Sequence, residues 1–228
     1  MIVFISPSKT FTKDPISTSG TSILFKKEND FLRNHLESLS KSDIIEIMKV
    51  SDKIATEVYS FYHSLEETYQ AQLLYSGQAF KYLDAKNLTY QSNKLYILDA
   101  YYGILRPTDK ISRYRLDFIM NLEIDLYNYW SRLISDYIHN KHSNEILIDL
   151  ASSEFGRLIP RNTHYIKVDF RIGDKKESNM NLKKLRGLMA NYIIQNNISS
   201  LEQLKSVSLL NYTFDAELSN DSYYIYKK

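Results

Sequence analysis

Apolar residues recur along this chain with two different periods. Short runs that are continuously apolar or that alternate predict β-strands at Ile2-Val3-Phe4-Ile5, Leu95-Tyr96-Ile97-Leu98, Ile146-Leu147-Ile148-Asp149-Leu150 and Tyr165-Ile166-Lys167-Val168-Asp169-Phe170. Elsewhere the spacing changes to three and four. Leu122, Leu126, Tyr129, Trp130, Leu133, Ile134, Tyr137 and Ile138 predict an amphipathic helix with a wide buried stripe. Leu185, Leu188, Met189, Tyr192 and Ile193 predict another. Between the first strand and the first helices, Lys13 to Thr21 (with Pro15 and Gly20) read as an irregular excursion. Strands interleaved with helices indicate an α/β (mixed α+β) protein. Neither a long linker nor an internal repeat divides the chain, so residues 1–228 are expected to form a single domain.

A tighter helical unit precedes the second strand. One helix begins at Leu39-Ser40-Lys41-Ser42 and carries Ile44, Ile45, Ile47 and Met48. The connector Lys49-Val50-Ser51-Asp52-Lys53 leads to a second helix with Ile54, Val58, Phe61, Tyr62 and Leu65. Ser40 or Ser42 is placed to cap the first helix, and Ser51 or Asp52 the second. Two short helices about a connector centred on Val50 resemble a helix-hairpin-helix, which grips a nucleic-acid backbone through connector amides and flanking lysines, here Lys49 and Lys53. Lys49 and Ser51 stand where that motif has Gly-x-Gly, and an ordinary αα-hairpin is the simpler reading.

Composition narrows the chemistry. Without cysteine, disulfides, thiolate catalysis and cysteine-ligated metal centres are excluded. The 29 basic and 27 acidic residues leave a net charge of only +2, so any contact with nucleic acid must come from a local patch. Most of the nineteen tyrosines are expected at the edge of the core. The first residues lack the basic segment and the length of a signal sequence, and no run approaches the ~20 apolar residues of a membrane span. A cytoplasmic protein is expected, with no membrane association.

Candidate chemistry concentrates in four places. In Leu98-Asp99-Ala100-Tyr101-Tyr102-Gly103-Ile104-Leu105-Arg106-Pro107, Gly103 permits a tight turn and Pro107 holds Arg106 extended. Arg113 and Arg115 follow within nine residues. Three guanidiniums on a short fixed segment suit bidentate recognition of phosphate or carboxylate. The alternative is internal pairing with Asp109 and Asp117. Ser6-Pro7-Ser8-Lys9-Thr10 and Leu150-Ala151-Ser152-Ser153-Glu154 both follow predicted strands, where α/β proteins collect ligands. Their hydroxyls and Lys9 suit a phosphate contact, although the glycines of a P-loop are missing. Asp117 and Glu154 are the carboxylates placed for acid–base work, or for structural pairing with Arg106, Arg113 or Arg115. Lys183, Lys184 and Arg186 open a helix, where cations oppose the macrodipole, an arrangement that an anionic partner would explain. The five histidines assemble no metal site, and neither a metal nor another cofactor is expected.

Several of these segments carry a resemblance to the YaaA family (DUF328/UPF0246), whose bacterial members are described as peroxide-stress proteins. They are Ile5-Ser6-Pro7-Ser8-Lys9-Thr10, Ser51-Asp52-Lys53-Ile54-Ala55, Tyr102-Gly103-Ile104-Leu105-Arg106-Pro107, Tyr114-Arg115-Leu116-Asp117, Leu126-Tyr127-Asn128-Tyr129-Trp130, Leu150-Ala151-Ser152-Ser153-Glu154-Phe155, Arg186-Gly187-Leu188-Met189 and Phe214-Asp215-Ala216-Glu217-Leu218-Ser219. The chain departs from the family pattern at Asp99-Ala100, Arg113 and Asp149, and is shorter between Phe170 and Arg186.

The resemblance implies one mixed α/β domain of a YaaA-type fold, distinct from a doubly wound nucleotide-binding sheet, with a helix-hairpin-helix-like element. It also implies a basic cleft binding duplex or structured DNA in the response to oxidative (peroxide) stress. Phosphate contacts are then expected from Lys9, Lys49, Lys53, Arg106, Arg113, Arg115, Lys183, Lys184 and Arg186. Ser6, Thr10, Asp117, Ser152 and Glu154 are candidate polar residues of the cleft. A monomer is favoured. The alternative function is an enzyme acting on a nucleotide, nucleobase or damaged DNA end in an arginine-lined pocket. A tyrosine-rich protein-interaction module is a third.

Overall fold

Strand β1 (Ile2–Ile5) is buried along its whole length, and the main sheet is built outward from it. After it come helices α1 (Lys26–Glu37), α2 (Lys41–Met48) and α3 (Asp52–His63), then β2 (Tyr69–Gln70), α4 (Ala71–Leu74) and α5 (Gln78–Leu83). The middle of the chain forms β3 (Leu95–Asp99), β4 (Gly103–Leu105), β5 (Lys110–Ile111), the long helix α6 (Leu126–His142), β6 (Leu147–Asp149) and α7 (Ser153–Gly156). It closes with β7 (Tyr165–Ile172), β8 (Lys175–Lys176), α8 (Asn179–Gln195), α9 (Leu201–Lys205), β9 (Thr213–Asn220) and β10 (Tyr223–Lys227). The computed structural model describes residues 1–16, 18–63, 68–88 and 92–228. All four strands and both long helices anticipated from periodicity are present, but α6 begins only at Leu126, beyond Leu122, and α8 begins at Asn179, so Lys183, Lys184 and Arg186 lie within that helix and do not open it; Leu65, expected in the second helix of the hairpin, lies outside the described residues.

The main sheet has the order β4-β3-β1-β6-β7-β10-β9, with β8 hydrogen-bonded to the end of β7. Its five central strands are parallel and its edge strands β4 and β9 antiparallel. Buried parallel strands require apolar side chains on both faces, which is why β1 and β3 read as continuous apolar runs. The chain runs from β1 to β3 on one side and later returns to pair β6 on the other. The sheet thus shares with doubly wound sheets a reversal of direction at β1, while its strand order and antiparallel edges are its own.

Gly103 justifies its place twice. Its φ of +74° suits glycine, and a Cβ there would lie 2.5 Å from the ring of Trp130. Trp130, fully buried on α6, donates its indole N–H to the Ala100 carbonyl at 2.8 Å. At the end of β3 the buried Asp99 carboxylate accepts the backbone N–H groups of Tyr101 (2.7 Å) and Tyr102 (2.9 Å) and the hydroxyls of Tyr75 (2.9 Å) and Tyr114. Several tyrosines thereby serve the core as amphipathic residues, with their rings packed and their hydroxyls satisfied. Asp149 ends β6 in a related way, accepting from Ala151 N–H, Tyr165 Oη and Lys167 Nζ at 2.8, 2.6 and 2.9 Å.

The α2–α3 pair is an αα-hairpin. Ser40 caps α2 in a capping box with Asp43. Lys49 ends that helix at φ 51°, the left-handed conformation usually given to glycine. No helix among the described residues is long and apolar enough to cross a membrane.

Candidate functional site

A strand that pairs with neighbours reached in opposite directions leaves a crevice beyond its C-terminal end. Here that crevice lies between the loops that follow β1 and β6. Ser152 donates its backbone N–H to Ser6 Oγ at 2.8 Å, and the two hydroxyls are 3.3 Å apart. Ser8, buried beneath, accepts from the Gly77 and Thr10 N–H groups at 2.9 and 3.1 Å, which ties the β1 loop to the start of α5. Gly77 has no room for a side chain, since a Cβ would lie 2.5 Å from Ser8 Oγ. On the far side α8 approaches α5 so closely that a Cβ on Gly187 would collide with the Ala79 carbonyl. That contact brings Lys183 and Arg186, on the same stretch of α8, to the cavity wall. The volume of this cavity is about 540 Å³, within the range of small-molecule sites.

Charge on the lining is unbalanced. Lys9, Lys81, Arg115, Lys183 and Arg186 contribute five cations, against the two carboxylates of Asp117 and Glu154. Asp117 is buried and already engaged, 2.7 Å from Lys9 Nζ and 3.6 Å from Arg115 Nε. The Nε atoms of Arg115 and Arg186 are both buried without a hydrogen-bond partner among the described residues. For Arg186, burial lowers the pKa of the guanidinium. The charges of Asp169 and Asp149 oppose that shift, and neither group hydrogen-bonds to it among the described residues. A desolvated, unpaired guanidinium costs stability and persists where something else is gained.

Glu154 is half-buried and accepts the Phe118 N–H at 3.3 Å. Burial first, and then the charge of Asp117, hold its pKa above the usual glutamate value, while Lys9 and the Phe118 N–H pull the other way. Because the folded state keeps this proton longer than the unfolded state, its contribution is fully present below the unfolded pKa and is lost as pH rises through the folded one. Glu154→Gln should therefore match the wild type in urea midpoint near about pH 4 and exceed it near about pH 7. A parallel pH dependence in the two proteins would contradict the assignment.

Of the residues singled out in the sequence, Ser6, Lys9, Thr10, Arg115, Asp117, Ser152, Glu154, Lys183 and Arg186 line this one cavity. Lys184 lies elsewhere, its ammonium 5.0 Å from the centre of the Tyr82 ring. Arg113 donates to the carbonyls of Thr12 and Lys13 at 3.2 and 3.0 Å, strapping down the excursion after β1. Arg106 also lies outside the lining. Its guanidinium holds the fully buried Asp109 at 2.6 Å and the Ser22 carbonyl at 2.5 Å, which is the internal-pairing alternative. Arg106→Ala should cost about 2 kcal/mol, since Asp109 retains the Arg106 N–H and Thr21 Oγ1 but loses its counter-ion. Thermal unfolding checks this; an unchanged midpoint would contradict it.

Lys49, at the C-terminal end of α2, and Lys53, in the first turn of α3 and not in the connector expected from the sequence, are both exposed. Helix α3 is nonetheless tied to the cavity segment, because the buried Tyr62 hydroxyl donates to the Arg115 carbonyl and accepts the Arg115 N–H at 3.2 Å. Missed from sequence were Lys81 and the Ser76-Gly77 entry to α5, where the Ser-Gly pair was the available signal.

Fold and cavity together define a mixed α/β protein with a cation-lined crevice where its sheet reverses direction. A family model described as "Peroxide stress protein YaaA" matches residues 1–218. A UPF0246 protein of Crocosphaera subtropica is 34% identical over 250 residues, covering the whole of both chains. A UPF0246 protein of Francisella philomiragia is 32% identical over 248 residues, covering 97% of this chain and 98% of its own. The chain belongs to the YaaA/UPF0246 family, which is associated with peroxide stress. Four of the segments that carried the resemblance, those containing Lys9, Arg115, Glu154 and Arg186, contribute to the cavity lining.

Proposed function

We propose that this protein binds DNA in the response to peroxide stress, and that the cavity beyond β1 and β6 receives one nucleotide of the bound strand. The observation that carries this reading is the pair of buried guanidinium Nε atoms, of Arg115 and Arg186, that lack a hydrogen-bond partner among the described residues on the lining of a nucleotide-sized cavity. Arginine forks are the side chains best matched to phosphate oxygens. A volume of about 540 Å³ accommodates a nucleotide and excludes a duplex, so a duplex must lie outside and yield a base or a strand end to the cavity. Arg115, Lys183 and Arg186 would hold the phosphate. Lys9 would exchange its Asp117 contact for it. Outside, Lys49 and Lys53 would meet the backbone from the α2–α3 hairpin, as in a helix-hairpin-helix, and such contacts position DNA without reading its sequence.

Salt dependence tests the reading. With about four to six phosphates neutralised, the logarithm of affinity should fall with the logarithm of salt concentration at a slope of about −4 to −5. Lys49→Glu with Lys53→Glu should weaken binding to all sequences alike, with the thermal midpoint unchanged, because both residues are exposed. No binding at low salt, or a flat dependence, would sink the proposal. Unchanged affinity of the double variant would remove the hairpin from it.

One observation favours a second reading, in which the bound nucleotide or damaged end is also chemically altered. Glu154, with its raised pKa, lines the same cavity as the phosphate-holding cations and would serve as general acid.

A further inference from the structure

The rim of the cavity carries an exposed aliphatic side chain that the core does not use. Ile119 is 80% exposed, the highest value among the large hydrophobic side chains of the described residues. It stands two residues after the cavity-lining Asp117, in a turn closed by the Met120 N–H on the Asp117 carbonyl at 3.1 Å. Turn centres favour Gly, Asn, Asp, Ser and Pro, so a β-branched aliphatic residue there works against local preference. A single exposed isoleucine by itself needs no explanation. This one is held on a rigid support.

The support is aromatic. Phe118, its buried neighbour, stacks on Tyr127 with centroids 4.5 Å apart and planes at 14°, and meets Phe155 edge-on at 5.4 Å. The Arg157 guanidinium covers the Tyr127 ring at 3.9 Å. From below, Glu154 accepts the Phe118 N–H, and the Tyr127 hydroxyl donates to the Glu154 carbonyl at 3.1 Å. The turn is thus fixed to the cavity wall itself, and Ile119 stands clear of it.

We propose that Ile119 is a wedge that enters the base stack of duplex DNA as the neighbouring nucleotide passes into the cavity. Aliphatic side chains inserted between base steps are a recurrent means of unstacking DNA. A base removed from the stack leaves a gap that an apolar group fills better than water does. Two of the cavity-lining cations that would draw the phosphate inward, Lys9 and Arg115, contact Asp117, two residues before the wedge. The inference rests on the DNA-binding reading above and adds to it how a closed duplex is opened.

The test uses full-length protein, wild type and Ile119→Ser, with duplexes carrying 2-aminopurine at a central position. It also uses the same duplex with a preformed single-stranded bubble. The wild type should raise 2-aminopurine fluorescence on binding the closed duplex. Ile119→Ser should unfold at the wild-type temperature and bind the bubble within about twofold of wild type. It should bind the closed duplex about tenfold more weakly and leave the fluorescence unchanged. Equal affinity and equal fluorescence for the two proteins on closed duplex would overturn the wedge, as would tight wild-type binding with silent fluorescence, and in both cases DNA binding would stand. Failure of the wild type to bind either DNA would overturn the underlying reading and the wedge with it.

Discussion

Arg186→Met is expected to leave the protein as stable as the wild type or more so, while weakening binding of a 5′-phosphorylated single strand about tenfold or more. Both halves follow from the same geometry. The Arg186 Nε is buried without a hydrogen-bond partner among the described residues, so the folded protein carries a desolvation cost that methionine removes at similar length. A phosphate in the cavity would be the missing partner, and charge-assisted bonds to it cannot be replaced by a thioether. A merely structural arginine gives the opposite result, in which stability falls and binding follows it down. Denaturant midpoints and affinities measured on the same preparations decide between them.

Gly187→Ala should destabilise the fold by about 3 kcal/mol, which corresponds to a fall of about 6–12 °C in melting temperature for a chain of this size. Helix propensity alone predicts the reverse, since alanine in a helix interior is worth about 1 kcal/mol over glycine. Packing decides the sign. The added methyl would collide with the Ala79 carbonyl, a backbone atom of α5 that cannot rotate away. Helix α8 must then retreat, taking Lys183 and Arg186 from the wall, and binding should weaken further than stability alone explains. A raised melting temperature in Gly187→Ala would show that the two helices are free to separate.

Legibility in the sequence followed burial. Strands β1, β3 and β6 were readable because central parallel strands favour near-continuous apolar runs, β7 because apolar and polar residues alternate along it, and α6 because its stripe is broad and regular. Helix α1 escaped notice. It is rich in charge, and one of its buried positions is Asn29, whose side chain donates to the Tyr101 carbonyl at 2.9 Å. Edge strand β9 is largely exposed and barely alternates in burial, so the β9–β10 hairpin left little pattern either. Most of the charged groups of the cavity could be anticipated, since Lys9 and Glu154 sit in loops directly after strands and Arg186 in a conspicuous basic run. Arg106 could not be placed from sequence, because Asp109, three residues on, offered it a partner as good as any phosphate. Lys81 carried no motif at all. Only the packing of α5 between the β1 loop and α8 brings it to the lining.

The most direct test of the cavity as a phosphate site is a calorimetric titration of wild-type protein with a short single-stranded oligonucleotide, with and without its 5′-phosphate, repeated on Arg186→Met. The wild type should bind the phosphorylated strand about tenfold or more tightly than the unphosphorylated one, and Arg186→Met should bind the two alike. Equal affinity of the wild type for both strands, or a phosphate preference that survives in Arg186→Met, would contradict the assignment of this cavity.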